Sequence, residues 1–224
     1  MREPIVLSWS SGKDSAYALT VLRADPRFEV VGLLSTMNAA AERVAMHAVR
    51  RELLHAQARA TGLPLHEVSI PSPCTNAEYE AAMGAAVARE RARGVSAFAF
   101  GDLFLEDVRR YREERLEAAG MAAVFPLWGR DTRGLAREMV AAGLRAIVTC
   151  VDPKALDRSF AGRLWDGALL DALPPNVDPC GERGELHTFV FDGPMLDRRI
   201  PVRVGEIVER DGFVFADVLP GAAA

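Results

Sequence analysis

The sequence is short of lysine, paired cysteine, net positive charge and long apolar runs, and each shortage removes a class of function. Only Lys13 and Lys154 of the 27 basic residues are lysine, and the formal net charge is -4, so no broad electrostatic footprint for nucleic acid is present. Cys74, Cys150 and Cys180 are odd in number, far apart and free of a C-x-x-C, which argues against a disulfide framework and a structural zinc site. A reducing, cytoplasmic setting fits that usage. No run of about 18 uncharged apolar residues exists, and no cleavable apolar segment follows Arg2 and Glu3, so neither a membrane span nor a leader is expected. Glycine is sparse at the start: Gly12 is the only one before Gly32, which excludes a G-x-G-x-x-G fingerprint. A Walker A loop fails as well, because Leu7 and Asp14 stand where that pattern needs glycine and a hydroxyl residue.

What is there is a chain of 224 residues, half of them apolar. That is enough for a sizeable core in one domain, or for a nucleotide-binding domain of ~130 residues with a smaller partner. Strand-like and helix-like stretches alternate through the first half. Strands are predicted at 5–7, 30–35, 65–70, 96–100 and 123–125, and helices at 14–23, 45–60, 77–93 and 107–118. Strict alternation predicts an α/β fold, a parallel Rossmann-like sheet with helices on both faces, with its binding site beyond the carboxyl ends of the strands. After Pro126 the pattern weakens. A helix at 132–142 and a strand at 145–151 extend the first layer or open the next, and strands at 188–191, 202–204, 206–210 and 213–218 follow. Asp211-Gly212 marks a hairpin between the last two. The expected division is a first domain over residues 1–128 and a smaller C-terminal α+β domain over 129–224, the boundary falling within 126–150.

The stretch Ser10-Ser11-Gly12-Lys13-Asp14-Ser15 lies between the first strand and the first helix. A helix N-terminus offers unpaired N–H groups and the positive end of the macrodipole, so a turn of small residues there admits an anion to the backbone. Gly12 allows close approach, the serines add hydroxyl donors, and Lys13 adds a point charge that this arginine-rich chain otherwise rarely supplies. An ordinary capped helix start uses the same residue types.

Ser10, Gly12, Asp14 and Ser15 resemble the SGGxDS signature of the PP-loop, or N-type, ATP pyrophosphatases, with Ser11 in place of the first glycine. Three further segments, GDLFLEDVRRYREERLEAAGM, FPLWGRDTRGLAREMVAAGLRAIVTCVDPKALDRSFAGR and VDPCGERGELHTFVFDGP, resemble the diphthine-ammonia ligase family of the adenine nucleotide alpha hydrolase superfamily. The likeness runs in order along nearly the whole chain. Arg183 and Leu186 stand where that family often has asparagine and phenylalanine. The resemblance implies a HUP-type sheet and an ATP-dependent ligase, in which a substrate carboxylate attacks the α-phosphate of ATP, pyrophosphate leaves, and ammonia then forms the amide. It implies ATP held by residues 10–15 and Mg²⁺ on the leaving pyrophosphate, with Asp14 as candidate metal ligand.

Other candidates follow from placement. Gly101-Asp102 ends a predicted strand on the same edge as the opening turn, where Gly101 would let a nucleotide lie against backbone and Asp102 would orient ribose, metal or substrate. Glu106 and Arg109, in the charge-rich helix beyond it, are expected to line the substrate site, although such faces are ordinarily solvated. His47 and Arg50 share one side of a predicted helix start and are further substrate candidates. Cys74 has no base beside it in sequence and is assigned to packing or substrate contact. Glu182, Glu185 and His187 are expected to supply acid or base capacity for amide formation. The expected partners are ammonium and a small-molecule or protein-borne carboxylate, with no membrane and no nucleic acid; a homo-oligomer is left open. Two rival readings keep the nucleotide and change the rest: RNA base modification, and a nucleotide sensor without catalysis.

Overall fold

The computed structural model describes residues 2–39, 43–44 and 48–222. Its first sheet contains β1 (Glu3–Ser8), β2 (Phe28–Asn38), β3 (Arg43–Val44), β4 (Leu65–Ile70), β5 (Ala97–Ala99) and β6 (Ala122–Val124). Across the sheet the parallel strands run β4, β2, β1, β5, β6, and the two-residue β3 pairs antiparallel with the end of β2. The chain reverses its direction of travel at β1, so the loops leaving β1 and β5 diverge over a crevice, the place where open α/β sheets bind ligands.

Alternation along the strands sorts their side chains to two faces. Ile5, Leu7 and Leu33 pack with α1 (Lys13–Ala24) and α2 (Arg51–Thr61), whereas Val6, Leu34 and Phe98 face α3 (Asn76–Ala92) and α4 (Glu106–Ala118). Thr75 starts α3 with a reciprocal capping box to Glu78. The predicted helix over 45–60 is shorter than expected: Val44 ends a strand, Arg50 is the N-cap, and the helix proper begins at Arg51.

A second sheet is wholly antiparallel. Its central strand is β7 (Arg145–Val151), paired along its length with β9 (Leu186–Asp192) on one side and with β8 (Leu164–Trp165) and then β11 (Phe213–Pro220) on the other. The strand predicted at 145–151 therefore belongs to this sheet and not to the first layer. The pieces predicted at 202–204 and 206–210 form one strand, β10 (Val202–Arg210), bulged between Val204 and Ile207. Asp211 and Gly212, at φ 54° and 82°, close the β10–β11 hairpin with the two left-handed residues that such a tight turn prefers. Helices α5 (Thr132–Ala141) and α6 (Gly167–Ala172) pack against this half, and its core is continuous with the α1/α2 side of the first sheet. Among the described residues no helix is long and apolar enough to cross a membrane.

Candidate active site at the junction of the two sheets

The crevice above β1 and β5 is a cleft of about 280 Å³ whose far wall comes from the segment 180–188 of the second sheet. From the first half it is lined by Ser8, Ser10, Lys13, Asp14, Ser15, Gly101, Asp102 and Arg112; Glu182, His187 and Thr188 face them. The residues expected at the opening turn thus divide. Ser10, Lys13, Asp14 and Ser15 reach the cleft, whereas Ser11 and Gly12 support it from behind.

Gly12 is the N-cap of α1 and has no side chain to cap it; the Lys13 N–H instead donates to the Thr188 hydroxyl of β9 at 3.1 Å. The Ser10 and Ser15 hydroxyls lie 3.1 Å apart, and the Ser10 oxygen accepts the Gly12 N–H at 3.3 Å, which bends the turn back over the helix start. Ser11 adopts φ 72°, the left-handed region in which glycine is at ease, and its buried hydroxyl has no hydrogen-bond partner. Its carbonyl accepts N–H groups from Gln57 at 3.0 Å and Val190 at 3.0 Å. Gln57 also donates to the Val190 carbonyl at 2.6 Å and accepts the Trp9 indole N–H at 2.9 Å. A buried amide from α2 therefore fixes the turn against β9. Neither Trp9 nor Gln57 stood out in the sequence, since nothing local marks a glutamine in an amphipathic helix as buried.

Lys13 is buried, and its Nζ donates to Asp14 Oδ2 at 2.8 Å and to the Cys180 carbonyl. One of the three ammonium donors is left for the cleft. Burial works against the charge, but Asp14, Cys180 and Asp178 together more than offset it, so the ammonium is held above its ordinary value. Burial pushes the Asp14 carboxyl up, with Lys13 opposing, and Asp14 Oδ1 is a buried acceptor with no hydrogen-bond partner.

Gly101 lines the cleft and also lies against α1. A Cβ there would lie 2.8 Å from the backbone of Asp14 and Ser15, so its lack of a side chain lets the β5 loop approach α1 closely. Asp102 is held by Arg112, which hydrogen-bonds Oδ1 at 3.2 Å and stacks over Phe100 at 4.3 Å. Arg112, like Ser8 and Thr188, is a cleft residue that sequence reasoning passed over: it sits in a run of charges in which nothing local separates it from Arg109 or Arg110.

Glu182 accepts the backbone N–H groups of Leu103 at 2.7 Å and Phe104 at 3.4 Å, tying the second sheet's loop to the β5 loop. Burial raises its carboxyl to about 7, with the nearby Asp14 and Asp102 charges adding to the shift. His187 moves the other way, to about 4, because burial and the Lys13 charge disfavour imidazolium. At neutral pH the histidine is uncharged while Glu182 is poised between its two forms. Burial also raises the Cys180 thiol, so it is not a thiolate nucleophile.

The remaining candidates lie elsewhere. Glu185 is turned away from the cleft: its two oxygens accept the N–H groups of Asp178 at 3.3 Å and Arg183 at 3.0 Å, bracing the loop from inside. Arg50 pairs with Asp217 at 2.6 Å. Arg109 pairs with Glu113 at 2.7 Å and lies over the Phe125 and Trp128 rings, and Glu106 is exposed on the first turn of α4. None of these three lines the cleft. His47 lies outside the described residues. Among the described residues no group of three or more histidine, cysteine, aspartate or glutamate side chains is placed to hold a metal alone.

Comparison with known proteins bears on the same two halves. A model of the diphthamide synthase N-terminal domain matches residues 2–123, and one of the diphthamide synthase C-terminal domain matches residues 131–217. Relatives named diphthine-ammonia ligase include those of Schizosaccharomyces pombe (33% identical, covering 47% of this chain and 18% of that protein), Rattus norvegicus (31%, 58% and 49%) and Homo sapiens (29%, 58% and 49%). The aligned region is about half the length of the mammalian relatives and under a fifth of the fission-yeast one. With one family domain matched over its first sheet and the other over its second, the chain belongs to the diphthamide synthase family.

Proposed function

We propose that the cleft binds ATP and that the chain is an ATP-dependent ligase, adenylating a substrate carboxylate with loss of pyrophosphate and then amidating it with ammonia. The observation that carries this reading is the meeting of two walls. A helix start with a buried lysine faces a loop bearing a carboxyl group that titrates near neutrality. The phosphates would lie over the start of α1, with Ser10, Ser15 and the third Lys13 donor turned to the leaving pyrophosphate. Asp14 suits Mg²⁺: a buried carboxylate oxygen without a partner is what that ion takes alongside phosphate oxygens, and Asp14 Oδ1 is one. When bound, the ion would supply charge neutralisation of the leaving group. Arg112 and Asp102 would orient the acceptor. Glu182 would take the proton that ammonium must lose before attack, and His187 would act as a neutral hydrogen-bonding wall. In this reading residues 1–128 carry the nucleotide and residues 129–224 close the site.

The test is product analysis after incubation with Mg²⁺-ATP, ammonium and a panel of carboxylates. AMP and pyrophosphate formed in step with an amide are expected, and Asp14→Ala should lose both while remaining folded. ADP formation, or ATP binding with no turnover on any carboxylate, would remove the ligase assignment. Related proteins bear the name diphthine-ammonia ligase, so diphthine belongs in the panel of carboxylates.

A further inference from the structure

A second cavity lies beside the cleft. It is a groove of about 960 Å³ between α3 and α4, lined along α3 from Ala77 to Ala92, roughly 22 Å of helix. α3 packs on β4 and α4 on β6, and the groove runs between the two helices with Phe98 of β5, itself buried, at its floor. Met83, Val87 and Leu116 extend that apolar floor. Of the charged residues in the lining, Arg115 pairs with Glu80 and Arg112 with Asp102 at the cleft end, while Arg91 adds a further cation. Phe100 and Arg112 line both the groove and the cleft, so the two cavities meet at that guanidinium.

We infer that this groove is the acceptor site, and that it takes a carboxylic acid with an extended apolar body whose carboxylate lies at Arg112. The inference rests on the ligase reading of the cleft and names the class of its substrate. An apolar floor with cations about its rim matches an amphipathic anion, and the end shared with the cleft is where a carboxylate would meet the α-phosphate. Arg112 directs one terminal N–H to Asp102 Oδ1 and sets its buried Nε 3.0 Å from Oδ2, which leaves its other terminal N–H groups for a second carboxylate. Tyr79 lines the same groove close enough to feel the Arg112 charge, and it offers a hydroxyl to the head group. A small molecule fits better than a helix of a second copy, because the Arg115–Glu80 ion pair spans from α4 to α3 across the groove. In the reaction, a carboxylate oxygen bonds to the α-phosphorus as the bridging oxygen to the β-phosphorus departs with pyrophosphate. Ammonia then bonds to the acyl carbon, AMP leaves, and the proton lost from nitrogen goes to Glu182.

Gly84 allows a direct test. It lines the groove from the middle of α3, and a Cβ built there meets nothing within 4 Å, so Gly84→Phe fills the groove without disturbing the backbone. Decanoate and decan-1-ol are titrated calorimetrically into the full chain. Decanoate is expected to bind at least about tenfold more tightly than the alcohol, the effect of one charge-assisted hydrogen bond. Gly84→Phe should weaken decanoate at least about tenfold with ATP affinity unchanged, whereas Gly84→Ala should leave decanoate binding intact. Decanoate should also stimulate AMP release in the unmodified chain and not in Gly84→Phe. Equal binding of acid and alcohol, or undiminished decanoate binding by Gly84→Phe, would overturn the proposal. So would a dimer in sedimentation that Gly84→Phe dissociates, since the groove would then join two copies. If the unmodified chain fails to bind ATP, it is the reading of the cleft that falls, and the acid-against-alcohol comparison still decides what the groove holds.

Discussion

Ser11 is held at φ 72° with a buried hydroxyl that has no partner, so both its backbone and its side chain oppose the fold. The left-handed conformation costs an L-residue roughly 1–2 kcal/mol, partly offset by the greater unfolded-state freedom of glycine. Ser11→Gly is therefore expected to stabilise the protein by about 1 kcal/mol and to raise the melting temperature by about 2–4 °C. Calorimetry checks this, and a lower melting temperature would show that the hydroxyl has a partner in solution. Glu182 gives a pH-dependent counterpart. Its folded-state pKa, about 7, lies above the ordinary carboxylate range, so burying it costs nothing in acid and the cost grows as pH rises through that range to about 7. Glu182→Gln keeps an oxygen for the Leu103 and Phe104 N–H groups and removes the charge. The variant should gain stability over the parent between pH 5 and 8, measured as a difference in melting temperature that is small at the acid end. In the same variant amide formation should fall more than ATP affinity.

At the scale of elements, the β5 loop and α1 are pressed together with no room for a methyl group. Gly101→Ala puts a carbon 2.8 Å from the Asp14 and Ser15 backbone, so one element must move, at a cost of roughly 1–3 kcal/mol. Because α1 opens with the turn proposed to bind phosphate, weaker ATP binding should accompany the loss of stability; unchanged affinity would show that the loop yields and the helix does not. The same elements show what could be read beforehand. The parallel strands and their helices were legible because period-2 and period-3.6 patterns are local, and the opening turn was legible because small residues before a helix have a physical meaning. The role of β7 was hidden, since its partners at 186–192 and 213–220 are set by contacts distant in sequence. Glu182 and Glu185 are the same residue type three positions apart. Only the left-handed turn at Gly181 and Gly184, φ 67° and 88°, sends one carboxylate into the cleft and the other back onto its own loop. Arg112 was masked by its neighbours, because a run of charges reads as a solvated face until the Asp102 contact is seen.

Across the whole molecule, Asp217 of β11 joins the halves by accepting from Arg50 at the start of α2 and from Arg43 at 3.0 Å. The two guanidinium groups, Arg50 foremost, hold its carboxyl below the ordinary range. The stability it contributes is therefore complete above that range and lost as pH falls through the depressed value. Asp217→Asn is expected to lower stability at neutral pH by about 1–2 kcal/mol, since charge-assisted hydrogen bonds weaken at a partly exposed site. The difference from the parent should vanish in acid; a difference that persists there would mean that the side chain acts by shape and not by charge. His187 adds a loss at higher pH, because its imidazole protonates near 4 when folded and near its ordinary 6.5 when unfolded, so stability falls as pH drops from 6.5 to about 4, before Asp217 titrates.

The scarcity of lysine, joined to the burial of Lys13, makes the cleft its own chemical reporter. Lys13 is 2% exposed, while Lys154 lies in the open on the second half. A pulse of an amine-acylating reagent, read peptide by peptide in a mass spectrometer, therefore compares one shielded amine with one reference amine in the same molecule. Acylation at Lys13 requires the 180–182 loop to swing off the start of α1, so its rate relative to Lys154 measures how often the two walls part. ATP should slow it, Asp217→Asn should quicken it, and the ratio needs no knowledge of the acceptor.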